Sequence, residues 1–124
     1  MEPNLYLLIA DGQVHEVLAI LEKEPSLAAV QDDNGYSLVH AAASYNELNL
    51  LRMLIQHYKV NVDIRDSDHE TPLFFVETLS AAKILVEELG ANPLATGLRG
   101  LTAAQAIQSD GDFSNIALYL HKKE

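Results

Sequence analysis

The side chains in this sequence that could do chemistry are few. Five are histidines: His15, His40, His57, His69 and His121. No two of them stand at a zinc-binding spacing with acids or cysteines alongside. The chain has no cysteine, which excludes disulfides and thiolate metal ligands. Asp66 and Asp68 beside His69 suggest an acid–base cluster. They lie in a turn sequence, however, with nothing near to desolvate them and shift their proton affinities. Ser37 and Ser80 have no nearby base to activate them and read as helix caps. Gly97-Leu98-Arg99-Gly100 lacks the Lys-Ser/Thr that follows a phosphate loop, and both glycines have turn roles. No catalytic, cofactor or metal-binding set is expected.

The elements that hold these residues are repetitive. Ser37-Leu38-Val39-His40, Thr71-Pro72-Leu73-Phe74 and Thr102-Ala103-Ala104-Gln105 each follow a turn. The turns are Asp32-Asp33-Asn34-Gly35, Asp66-Ser67-Asp68-His69 and Gly97-Leu98-Arg99-Gly100. A phrase that returns about every 33 residues marks a stack of small units that bury their apolar faces only against neighbours. Ser37, Thr71 and Thr102 stand where a helix should begin, each able to accept from first-turn N–H groups. Pro72 suits the first helical position. Ala41, Ala42, Ala43, Ala104 and Ala106 let first helices pack closely. After a polar break (Asn46, Gly111), Leu50, Leu51, Leu54 and Ile55, and later Ile84, Leu85 and Leu89, follow helical spacing. Gly90 ends that later helix.

The first unit repeats the plan. Leu5, Leu8 and Ile9 form a short helix, Asp11-Gly12 the turn, and Val14, Val17, Leu18, Ile20 and Leu21 a second helix closed by Pro25. The fourth runs from Ala103 to Ile107, turns at Asp110-Gly111, and continues with Phe113, Ile116, Leu118, Tyr119 and Leu120. Val60-Asn61-Val62-Asp63-Ile64 reads as an extended hairpin arm.

The 124 residues form one domain with an ordinary 48% apolar content. No apolar run approaches the 18 or so residues of a membrane helix. Met1-Glu2-Pro3-Asn4 carry no positive n-region, so no secretory signal is expected. The lack of cysteine fits a reducing compartment, and a cytoplasmic location, with the nucleus as a second, is expected. A net charge of −10 argues against nucleic-acid binding and favours basic partners. The charge is uneven: residues 1–34 hold seven acids and one base, residues 96–124 three of each. The acidic end is either a solvated face or a surface that meets a basic partner.

The repeated phrase, together with Gly90-Ala91-Asn92-Pro93, resembles the ankyrin repeat family across nearly the whole chain. The resemblance implies an all-α solenoid of about four helix-turn-helix units joined by β-hairpin loops. The units are approximately 1–31, 32–65, 66–96 and 97–124. It implies a structural role for His40, its imidazole bridging backbone groups of adjacent hairpins. The third unit is about three residues short between its helices, at Glu77-Thr78-Leu79-Ser80, so its first helix should be short. Ankyrin-class kinase inhibitors also carry one compressed repeat. Phe74 and Gln105 replace the motif's His, and His69 replaces Gly where positive φ is needed, at some cost in stability.

The family's binding surface is a concave groove lined by hairpin tips and first helices. Mapped onto this sequence it implies Asp33, Asn34, Tyr36, Ser67, Asp68, Glu70, Leu98, Arg99 and Leu101 at the tips, and Ser44, Tyr45, Thr78, Ser109 and Asp110 at the helix ends. Tyr36 and Tyr45 are either interface anchors, lying where the stack's own packing does not need them, or covers for neighbouring hairpins. Leu98 and Leu101 about Arg99 are either a second apolar contact or the uncovered end of the stack. The expected function is non-enzymatic binding of a protein partner, a basic segment in one version, by a monomer acting as escort, inhibitor or adaptor. A passive scaffold module is the alternative.

Overall fold

The computed structural model describes residues 4–110 and 114–124. In chain order its helices are α1 (Leu5–Ala10), α2 (Val14–Lys23), α3 (Leu38–Ser44), α4 (Leu48–Arg52), α5 (Leu79–Lys83), α6 (Ala103–Asp110) and α7 (Ser114–Lys123). Short 3₁₀ turns occupy Pro25–Ala29 and Pro72–Phe75. No strand occurs among the described residues; the hairpins carry isolated bridges at Gln31–Ser37 and Thr96–Thr102. The architecture is an all-α solenoid. The turn expected at Gly111 and the apolar Phe113 lie outside the described residues, as do the side chains of Ser109 and Asp110.

Capping decides where the first helices start. Ser37 Oγ accepts from the His40 N–H at 3.2 Å, and His40 Nδ1 accepts in return from the Ser37 N–H at 3.2 Å. Thr102 and Gln105 reproduce this exchange at 3.3 and 2.9 Å. The reciprocal bonds satisfy two orphan donors at each start. Thr71 does not join the pattern, contrary to expectation. Its third residue on is Phe74, which has nothing to accept with, and only a single 3₁₀ turn follows. Thr71 Oγ1 is buried without a hydrogen-bond partner among the described residues.

The compressed third unit also moves its second start. Thr78, not Ser80, caps α5: its Oγ1 accepts from the Ala81 N–H at 3.0 Å and donates to Asn46 Oδ1 at 2.8 Å. Ser80 lies exposed inside the helix. The second helices α4 and α5 both widen into π-turns, Met53–His57 and Ile84–Glu88. Each ends on a left-handed residue, Lys59 (φ 60°) and Gly90 (φ 80°). Val60 N–H then reaches Leu54 O at 3.0 Å and Ala91 N–H reaches Leu85 O at 2.7 Å, closing the helix ends. The stretch from Val60 to Ile64 is not an extended arm. The Ile64 N–H bonds Asn61 O at 3.1 Å and makes a turn, because Asn61 Oδ1 draws in the Asp63 N–H at 3.0 Å.

The core is a run of small and aliphatic side chains. Ala41, Ala42 and Ala43 of α3 are fully buried, as are Leu50, Leu51 and Leu54 in the helix behind them. Ala81, Ala82, Leu85, Ala104 and Leu120 continue the stripe at 0% exposure. Each such leucine contributes about 1.5–3 kcal/mol by leaving water.

A polar ladder fixes the spacing of the hairpins. Gln31 Nε2 donates to Gly35 O of its own hairpin and to Arg65 O of the next, both at 2.8 Å. Arg65 repeats the move, donating to His69 O at 2.7 Å and to Thr96 O at 2.8 Å. The Ser67 N–H bonds Asn34 O at 2.8 Å, and the Leu98 N–H bonds Asp68 O at 3.0 Å. These bonds hold the three tips in one row along the concave side.

Candidate functional site: the concave hairpin surface

The first two hairpin tips are each built by an aspartate that folds the chain around itself. Asp32 Oδ1 accepts from the N–H groups of Asn34 and Tyr36, and Asp66 Oδ1 from those of Asp68 and Glu70. Such Asx turns need no strand partner. The turn that runs through Ser67 and the left-handed His69 gathers the carboxylates of Asp66, Asp68 and Glu70 on one side of the hairpin. One oxygen from each lies within 4.8 Å of the others. Asp32 joins them across the seam in an open concavity of about 490 Å³, floored by Tyr36 and Phe75.

The floor is an aromatic cluster. The Tyr36 ring stacks on His40 at 5.6 Å between centroids, with 27° between planes. It meets Tyr6 at 5.7 Å and the edge of Phe75 at 5.7 Å. Phe75 also stands edge-on to His40 at 5.2 Å. Tyr36 is therefore half-buried within the packing, which corrects the expectation that the stack does not need it. The short 3₁₀ turn of the third unit places Phe75 against it. The Tyr36 hydroxyl is pushed up to about 12, foremost by burial and then by neighbouring Tyr45, while a hydrogen bond with Ser44 acts the other way. The ring stays a neutral, amphipathic surface at any physiological pH.

His40 sits beneath this cluster and is fully buried. Its Nδ1 faces the Ser37 N–H and, at 2.7 Å, the Ser37 Oγ. The other nitrogen, Nε2, therefore carries the proton and donates to Glu70 O at 2.9 Å. Ser37 thus has a base beside it, which its sequence context had not suggested. Both residues are at 0% exposure, and no substrate can reach the pair. Burial holds the His40 imidazole below its usual range, against the upward pull of Glu70 O, Asp66 and Asp32.

The structure brings Asn34, Tyr36, Asp68 and Glu70 together in the concavity. Asp33 is exposed on the same tip, and Tyr45 is 51% exposed at the end of α3. Ser44 is half-buried and donates weakly to Glu77 Oε2 at 3.5 Å. Leu98, at 62% exposure, and Arg99 stand out on the third tip, with Leu101 half-buried beneath. These three do not line the acidic concavity. Asp32, Asp66 and Phe75 line it without having been picked out as binding residues. For Asp32 and Asp66 a signal was present, since each opens one of two successive turns. A larger concavity of about 860 Å³ beside Leu5, Ile20, Leu27 and Val30 is mainly apolar. It is the open face of the first unit and lacks the convergence of charges.

Oxygen donors like those of Asp66, Asp68 and Glu70 suit a hard divalent cation. Three carboxylates supply only part of the roughly 6–8 oxygens that calcium takes. Asp66 already spends one oxygen on the hairpin. The cluster as it stands is a negative surface over an aromatic floor.

A family profile of ankyrin repeats, in three copies, matches residues 5–97. An ankyrin repeat-containing protein of Schizosaccharomyces pombe is 39% identical over 119 residues, covering 96% of this chain. The chain spans 56% of that relative's length. Ankyrin repeat domain-containing protein 53 of Homo sapiens is 38% identical over 45 residues, 36% of this chain and 8% of that protein. Its Mus musculus counterpart is 38% identical over 47 residues, 38% of this chain and 10% of that protein. Ankyrin repeats are general protein–protein interaction modules, generally without enzymatic activity. With a helical solenoid of matching repeats along most of its length, the chain belongs to the ankyrin repeat family.

Proposed function

We propose that this chain is a non-enzymatic module that binds a basic segment of a protein partner on its concave surface, as an escort, inhibitor or adaptor. The observation that carries the reading is the concavity between the first two hairpins. Four carboxylates, those of Asp32, Asp66, Asp68 and Glu70, share it with Tyr36 and Phe75, and among the described residues no basic one lines it. Exposed Tyr45 extends the aromatic surface along α3. Complementary charge sets orientation and association rate, while buried aromatic contacts supply most of the affinity. The chain's net charge of −10 adds long-range steering. We take it to act as a monomer in a reducing compartment such as the cytoplasm.

The test starts from a partner captured on the immobilised chain, then purified. Tyr45→Ala should weaken binding by about 1–2 kcal/mol. Replacing Asp33 and Asp68 together by Lys should slow association and flatten its salt dependence. Binding that survives all three substitutions moves the working surface to the outer face of the second helices, as a passive scaffold would have it.

A further inference from the structure

The hairpin ladder ends on an open edge, and that edge adjoins the apolar concavity of the first unit. We propose that an extended segment of the protein partner docks there, adding to the first hairpin as the hairpins add to one another. One large apolar side chain of that segment sits against Leu5, Ile20, Leu27 and Val30. This rests on the reading above that a basic segment binds the concave surface, and gives that segment an apolar anchor.

The ladder itself says what fits the edge. Arg65 O accepts from the Gln31 side chain and the Ser67 N–H donates to Asn34 O, both toward the preceding hairpin. Thr96 O and the Leu98 N–H do the same one repeat on. One repeat earlier, these places belong to Gln31 O and the Asp33 N–H, and neither has a partner among the described residues. An acceptor and a donor two residues apart on one side are met by an extended peptide backbone. The apolar lining shows the same gap. One repeat on, the places of Leu5 and Ile20 are held by Val39 and Leu54, both fully buried inside the stack. Ile20, Leu27 and Val30 lack that cover and stay half-buried around a concavity of about 860 Å³. Asp32 and Tyr36 line both this concavity and the acidic one, so a segment lying in the second runs on into the first.

The ¹⁵N-labelled chain should be titrated with Ac-Lys-Gly-Leu-Gly-Lys-NH2 and with the same peptide carrying alanine in place of leucine. The leucine peptide should shift the amides of Leu27, Val30, Asp33 and Tyr36 saturably and bind about tenfold more tightly than the alanine peptide. Asp33→Pro deletes the open N–H at the second place of a turn closed by the Gly35 N–H and Asp32 O, a place where proline is favoured. It should bind the leucine peptide about fivefold more weakly than Asp33→Ala, which loses the same charge and keeps the N–H. Leu27→Gln should erase the preference for leucine. Equal binding of the two peptides overturns the apolar anchor. Equal binding by the proline and alanine variants overturns docking on the hairpin edge. Shifts of the same amides with chain concentration alone give the face to a second copy and overturn the proposal. Nuclear Overhauser contacts from Met1 to Leu27 give it to the chain's own start, with the same result. If the anchor fails while Asp33→Lys with Asp68→Lys still flattens the salt dependence of the captured partner, the basic segment stands and only this site falls.

Discussion

Tyr6 and His40 do the same job one repeat apart. The Tyr6 hydroxyl donates to Tyr36 O and His40 Nε2 to Glu70 O, each at 2.9 Å, and donors and acceptors are both separated by 34 residues. A phenol and an imidazole thus lock consecutive hairpins onto the helices before them. Tyr6→Phe removes one donor while the Tyr36 carbonyl keeps its bond from the Asp32 N–H. It should cost about 0.5–1.5 kcal/mol. His40→Ala strands the Ser37 N–H and removes a fully buried ring, so it should cost about 2–4 kcal/mol. Urea unfolding of the two variants checks the order; equal losses would show that the imidazole does nothing the phenol does not.

The third unit breaks this ladder, and its break has a removable cost. Thr71 Oγ1 is buried with no partner among the described residues. Thr71→Val keeps the shape and deletes the unpaired hydroxyl, so it should leave stability unchanged or raise it by up to about 1 kcal/mol. Ser37→Ala and Thr102→Val, which destroy reciprocal caps, should each lose about 1 kcal/mol. A loss at Thr71 as large as at Thr102 would mean that the hydroxyl has a partner after all.

Burial of His40 makes stability depend on pH in a definite direction. Its folded-state proton affinity is lowered, with burial as the main cause, so between that value and the ordinary histidine value of about 6.5 the unfolded chain binds more protons. Stability is then fully present above about pH 6.5 and falls as the pH drops through the window below it. His40→Gln should flatten the profile of unfolding midpoint between about pH 7.5 and 5.5. An unchanged slope would assign the pH dependence to other groups.

Much of this fold was legible because the residues carry their geometry with them. Ser37 three residues before His40, and Thr102 before Gln105, spell caps. Asn46 and His69 tolerate the left-handed backbone they adopt, at φ 59° and 60°. Lys59 adopts it too, yet lysine carries no such signature, and only its equivalence to Gly90 explains the position. Tyr36 looked like a free surface residue because its burial depends on Phe75, and that depends on how the shortened third unit turns. The carboxylate triad was not legible from spacing, because the turn with left-handed His69, not strand alternation, brings Asp66, Asp68 and Glu70 together. Attention to Asp66 and Asp68 with His69 grouped the wrong three side chains.

Close approach of the first two hairpins rests on Gly35. Its φ is +73°, and a Cβ there would meet the backbone of the next hairpin, Ser67 N at 2.7 Å and Asp66 C at 2.9 Å. The hairpins cannot separate without stretching the bond from the Ser67 N–H to Asn34 O. Gly12 has a similar φ of +76° but nothing within 4 Å of its missing Cβ. Gly12→Ala should therefore cost only the left-handed strain, about 1–2 kcal/mol. Gly35→Ala should cost roughly 1–3 kcal/mol more for the clash. It should also disturb the acidic concavity, because Asn34 and Ser67 line it from opposite sides of the seam. Thermal unfolding compares the two variants, and amide exchange at Ser67 reports the hairpin contact directly. Equal losses, with Ser67 still protected, would mean that the seam opens freely and that the spacing of the tips is set by the helices alone.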